Sequence, residues 1–332
     1  MPSNILRACG ARCVPSTPPA AARGAPWALL LALGAALAGG PLAVAGADEE
    51  APGPAQRVQP AAASVFLEDL TWTELRERVR AGQTVALVPI GGTEQSGPAL
   101  ALGKHNARVR VLAERIAREL GDAIVAPVIA YVPEGSIEPP SSHMRFPGTI
   151  SVPPAIFDGT VEAAARSLRA AGFRDIVLLG DHGGYQTQLG EVAARLDRKW
   201  SLERAAAAAR VWAPTEYYAA SSTGFARRLR AEGYRDDEIG THAALADTAL
   251  QLALAPQTVR QDVLARATDL DAAHGVYGGD PRRASAASGR AGAEEIVRAT
   301  VAAIRALQAQ GRDANAPSRP THGMMREATR SP

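Results

Sequence analysis

At 332 residues, 46% of them apolar and 21% charged, the chain has enough apolar surface to bury a sizeable core, which argues against a disordered polymer. Its formal charge of +2 comes from 36 basic and 34 acidic residues. Arg7, Arg12 and Arg23 are the only charges in the first 47 residues; setting them aside leaves 33 basic against 34 acidic side chains, so no basic stripe remains and nucleic-acid binding is not expected.

Those first residues continue into the apolar run "WALLLALGAALAGGPLAVAGA", which closes on Ala45-Gly46-Ala47 before Asp48. Residues 1–47 therefore have the three-part layout of a secretory signal peptide. Gly39, Gly40 and Pro41 interrupt the run, favouring a cleaved signal over a retained anchor. Cys9 and Cys13 are the chain's two cysteines, and both lie in this leader. Cleavage would leave no disulfide, no thiolate ligand and no stable membrane insertion, in a periplasmic or secreted protein. Residues 48–65 read as a linker rich in Pro and Ala, and 312–332 as a disordered tail.

Between them, residues 66–311 alternate helical and strand-like segments. Thr71 or Thr73 can cap a helix ending near Gly82, after which "TVALVPI" is a buried strand. "NARVRVLAERIAREL" places Val109, Leu112, Ile116 and Leu120 on one helical face before Gly121. "AIVAPVIAYV" reads as a strand followed by a loop from Pro133 to Gly148, and a helix over 157–171 leads into the strand "DIVLLG". Further helices are expected over 186–205, 215–232, 242–254 and 290–310, with "ARVWA" as another strand. Strands separated by helices predict a three-layer α/β/α sandwich with a mostly parallel central sheet. Loops after successive strands then meet at one sheet edge, so Glu94 in "GGTEQSGPALALGKH" and His182 in "LLGDHGGYQ" can become neighbours.

Five of the six histidines lie in loops or at element ends. His182 follows a buried strand directly and is trailed by two glycines. His143 lies in "SSHMRFPGTIS", where Phe146 can wall a pocket. His242 and Asp247 are five residues apart, so both can serve one site only if the first helical turn there is irregular. The Gly-rich loop after His274 lacks Walker-type or GxGxxG spacing and reads as structural. No G-x-S-x-G elbow follows a strand, which disfavours a serine hydrolase.

"VPIGGTEQSGPALALGKH", "SSHMRFPGTISV", "IVLLGDHGGYQTQL", "THAALADTALQL" and "GVYGGDPRRASAASGRAG" occur in the order and at roughly the spacing of the creatininase (creatinine amidohydrolase) family. The chain resembles that family over about residues 70–310. The resemblance implies a hydrolase of C–N amide bonds, often cyclic ones, usually oligomeric and dependent on zinc or manganese. It makes Glu94 and His182 metal ligands, puts Asp247 at a metal-binding Glu position, and places His242 near the reacting carbonyl and leaving nitrogen. Ser96 and Ala99 stand where the family has His, Tyr185 where it has Asn, and His105 where it has an Asp bridging two metals. A neutral imidazole has one lone pair and cannot bridge two cations, so the expectation is a single ion, zinc before manganese. Its expected ligands are Glu94, His105 and His182, with Asp247 as fourth ligand or orienting partner. A metal-bound hydroxide would attack a small-molecule amide, His242 would protonate the departing nitrogen, and His143 stands as a second catalytic candidate. Gly183 and Gly184 amides are expected at the oxyanion, and Glu138 or Asp181 as base if Asp247 binds the metal. The alternative is a catalytically degenerate member that binds a small molecule or a protein.

Overall fold

Strand β1 (Val85–Ile90) is buried on both faces and supplies alternate residues to two separate cores. Val85 and Leu87 face one side, and Ala86, Val88 and Ile90 the other, as the twofold period of a strand requires. The computed structural model describes residues 64–203 and 209–314, all within the compact unit Val58–Pro332. The expected signal peptide and nearly all of the linker and tail lie outside the described residues.

In chain order, helix α1 (Trp72–Arg80) precedes β1, and α2 (Lys104–Leu120) leads to β2 (Ala123–Val125). Helix α3 (Pro154–Ala170), strand β3 (Asp175–Gly180), α4 (Gln186–Ser201) and β4 (Arg210–Trp212) complete the sheet. The four strands are parallel, in the order β2-β1-β3-β4. Beyond them come α5 (Thr215–Ala219), α6 (Phe225–Ala231), α7 (Asp236–Ile239), β5 (Gly240–His242), α8 (Leu245–Leu254), α9 (Gln261–Arg266), β6 (Tyr277–Gly279) and α10 (Ala286–Ala314). Strands β5 and β6 form a separate antiparallel pair.

Three layers result. Apolar residues of α2, α8 and α10, among them Leu112, Leu250 and Ile296, pack on Val85, Leu87, Val177 and Leu179. On the opposite face, Phe157 and Val161 of α3 and Leu189 and Val192 of α4 cover Val88, Ile90, Ile176 and Leu178. Each fully buried Leu, Ile or Phe contributes about 1.5–3 kcal/mol, so both faces of the sheet are firmly held.

Several boundaries differ from expectation for local reasons. Thr71 caps α1 in a reciprocal capping box with Glu74. Strand β2 ends at Val125 because Pro127 has no N–H to continue a ladder, and the chain goes on through isolated bridges at Ile129 and Val132. The helix expected over 215–232 is interrupted by a π-helical turn at Ala220–Gly224. The helix expected from 242 starts at Leu245, since His242 ends β5 and Ala243 has φ 52°. Helix α10 reaches Ala314, three residues into the segment expected as tail.

Candidate metal centre

The loops leaving β1, β2 and β3 meet at the carboxyl edge of the sheet and bring Glu94, Glu134 and His182 together. His143, from the loop before α3, joins them. One donor atom from each of these four lies within 4.8 Å of the others.

Glu94 is fully buried. Its Oε2 lies 3.2 Å from His143 Nε2 and 3.3 Å from His182 Nε2, while Glu134 Oε2 is 3.5 Å from the same His182 nitrogen. Despite these approaches, Glu94 Oε2 and both oxygens of Glu134 are buried without a hydrogen bond. Buried carboxylate oxygens are nearly always partnered, so three orphans side by side make this a place that could hold a cation. Burial, reinforced by the nearby Glu94 carboxylate, pushes the Glu134 carboxyl up to about 9. Burial would raise Glu94 too, but Lys104, with His105 and His182, holds it well below the usual carboxylate range.

Two imidazoles and two carboxylates form a donor set that suits zinc or manganese. His182 Nδ1 accepts from Gly184 N at 3.2 Å, and His143 Nδ1 lies 3.0 Å from Gln95 Nε2. Ligation through Nε2 places each ring proton on Nδ1, so both contacts rearrange when an ion is held. The Gly184 N–H expected at an oxyanion is engaged by His182 in this form.

Glycine makes room for Glu134. A Cβ on Gly92, whose φ is 156°, would sit 2.6 Å from Glu134 Oε1. Tyr185, standing at the family's Asn position, ties the loops at their roots. Its buried hydroxyl accepts from Asp181 N and His182 N at 3.2 Å and lies 2.7 Å from Ile90 O and Gly91 O, to one of which it donates.

The remaining expected residues lie beside this cluster in an ion-pair network. His105 is buried, with Nε2 2.8 Å from Glu94 Oε1 and Nδ1 2.6 Å from Asp181 Oδ2. Both nitrogens face carboxylates, so neither is presented to the four-donor space. Asp247 is likewise held elsewhere: Oδ2 accepts from Lys104 Nζ at 2.8 Å and Oδ1 from Arg108 at 2.7 Å. It also accepts from Ala243 N at 2.9 Å, so the irregular turn before α8 is what brings Asp247 toward His242. Burial opposes ionisation of Asp247, yet Lys104 and Arg108 hold it well below the usual range. Asp181 is depressed despite its burial by Arg108 and His105, with Tyr217 donating to Oδ1 at 2.7 Å. Glu138 is exposed.

His242 lines the cavity and is pushed down to about 3 by burial and by Lys104. A neutral imidazole with Nδ1 facing Lys104 Nζ carries its proton on Nε2, which donates to Gln95 O at 3.0 Å. Burial also lowers His143. The cavity measures 580 Å³ and is walled by His143, His182, His242 and Lys104, with Tyr218 and Ser222 further out.

Sequence reasoning missed Glu134, Lys104 and Arg108. Glu134 had one available signal, its place in the loop after the second strand at the shared edge. Lys104 and Arg108 are four apart at the start of α2, a spacing that puts both on one face.

The family model described as creatininase, creatinine amidohydrolase, matches residues 68–304. Creatinine amidohydrolase of Pseudomonas putida is 34% identical over 119 residues, 36% of this chain and 45% of that protein. Mycofactocin precursor peptide peptidase of Mycolicibacterium smegmatis is 33% identical over 117 residues, 34% of this chain and 44% of that protein. A 3-dehydro-scyllo-inosose hydrolase of Thermotoga maritima is 28% identical over 120 residues, 36% of each chain. The chain thus matches less than half the length of these curated relatives. Among solved structures, a manganese creatininase aligns at TM-score 0.59 and 27% identity, covering 74% of this chain and 98% of that one. A mutant creatininase of Zn-Zn type aligns at 0.60 and 26%, with the same coverage. With the family model spanning the sheet, both helical layers and all four convergent donors, the chain belongs to the creatininase family.

Proposed function

We propose that the chain is an exported, metal-dependent amidohydrolase that cleaves a non-peptide C–N amide bond, cyclic substrates included, at a centre of one divalent ion. Glu94, Glu134, His143 and His182 would hold the ion, with zinc first and manganese second. The observation that carries this reading is the set of three buried, unpaired carboxylate oxygens beside His143 and His182, two imidazoles that line a cavity. A bound ion supplies Lewis acidity to the carbonyl and lowers the pKa of water.

The protein's own groups do the rest. With one Glu134 oxygen on the ion, the other would carry the proton, taking it from the attacking water and returning it to the departing nitrogen. His242, neutral across the working pH range, orients Gln95 and with it His143 rather than donating a proton. Two curated relatives are named for breaking amide or peptide bonds, which favours C–N chemistry. Metal analysis after zinc or manganese loading, followed by a screen of small cyclic and linear amides, tests the proposal. His182→Ala should lose both metal and turnover; equal rates in variant and wild type would remove the metal mechanism. Export and homo-oligomerisation belong to the same reading, checked by cell fractionation and by light scattering.

A further inference from the structure

Lys104 occupies a place built like an ion site. Its side chain is fully buried, and Nζ lies 2.8 Å from Asp247 Oδ2, 3.3 Å from Glu94 Oε1 and 3.4 Å from His242 Nδ1. Two carboxylate oxygens and one imidazole nitrogen converging on a point also suit a divalent cation. An ammonium has three protons, and here it meets three acceptors. Glu94 joins this place to the four-donor cluster: Oε1 faces Lys104, and Oε2 faces His143 and His182.

We propose that the Lys104 ammonium is a built-in substitute for a second divalent cation, so that Glu94 bridges one fixed positive charge and one exchangeable ion. The proposal rests on the metal centre proposed above. Arg108, on the other oxygen of Asp247, supplies the rest of the positive charge that a divalent ion would bring. Lys104 is a positioning residue: it orients Glu94 toward the exchangeable ion, fixes the tautomer of His242 and keeps a second ion out.

The test is metal stoichiometry in the full chain, stripped with chelator, reloaded with Mn2+ and freed of excess. Wild type is expected to hold one equivalent with an uncoupled electron-paramagnetic-resonance signal. Lys104→Ala and Lys104→Ser, which open the space among Glu94, Asp247 and His242, are expected to hold two equivalents with spin coupling. Propylammonium, the portion of the side chain that alanine lacks, should displace only the second ion. Wild type with two equivalents overturns the substitute and spares the metal centre; wild type with none removes both. Folded variants that stop at one equivalent also overturn it. If neither variant folds without metal, recovery at two equivalents but not at one is expected, and failure to recover at any level refutes the proposal.

Discussion

At the proposed centre, Glu134 would make metal binding a proton-linked reaction. Without an ion, its carboxyl keeps a proton up to about pH 9, because burial and the Glu94 carboxylate both disfavour its charge. An entering cation must displace that proton, so below pH 9 the apparent affinity should fall tenfold per pH unit, about 100-fold between pH 8 and pH 6. The sign for stability follows from the same raised value. The unfolded carboxyl ionises near its ordinary value of 4.5 while the folded one stays protonated to about 9, so metal-free protein should lose stability as pH rises between them. Metal-loaded protein should lack that slope. Competition titration with a chromophoric chelator from pH 6 to 9 reads the affinity, and calorimetry in buffers of different ionisation enthalpy counts the proton. Glu134→Gln should abolish the released proton, flatten the pH dependence and weaken binding roughly 100-fold or more at pH 9. A flat wild-type profile, or an unchanged slope in the variant, would refute the argument.

Tyr185→Phe should cost about 2 kcal/mol in urea unfolding, because His182 N and a carbonyl at the end of β1 lose a buried partner. It should also weaken metal binding, since His182 loses its anchor. Gly92→Ala should drive a Cβ against Glu134 Oε1 and lower metal affinity roughly tenfold with little loss of secondary structure by circular dichroism. Asp181→Asn removes a buried charge shared by His105, Arg108 and Tyr217, and should destabilise the fold by about 3 kcal/mol in denaturant titration.

The sheet was legible because β1 is apolar throughout, β3 is apolar after Asp175, and helices of suitable length follow them, a pattern that admits few arrangements. The shared-edge rule then brought Glu94 and His182 together across about ninety residues. What the sequence concealed was how polar side chains would pair among themselves. His105 and Asp247 are good ligands in isolation, but a buried imidazole between Glu94 and Asp181, and a carboxylate between Lys104 and Arg108, are already engaged. That competition depends on the angle at which α2 meets α8, which periodicity does not encode. Glu134 differs: nothing in "YVPEGS" separates it from Glu138 four residues later, and only the fold buries one and exposes the other.

The Tyr185 hydroxyl also bears on how this site can move. One oxygen joins the amides of Asp181 and His182 to the carbonyl end of β1, and Asp181 N additionally donates to Ile90 O at 3.0 Å. The Asp181 amide can meet solvent only when the carboxyl ends of β1 and β3 part, whereas His182 N needs only the Tyr185 hydroxyl to let go. Hydrogen exchange at Asp181 should therefore follow global unfolding, although the residue borders an open cavity. Changes of shape on substrate entry would then fall to the outer wall at the π-helical turn, with the floor that carries His182 moving as one piece with the core.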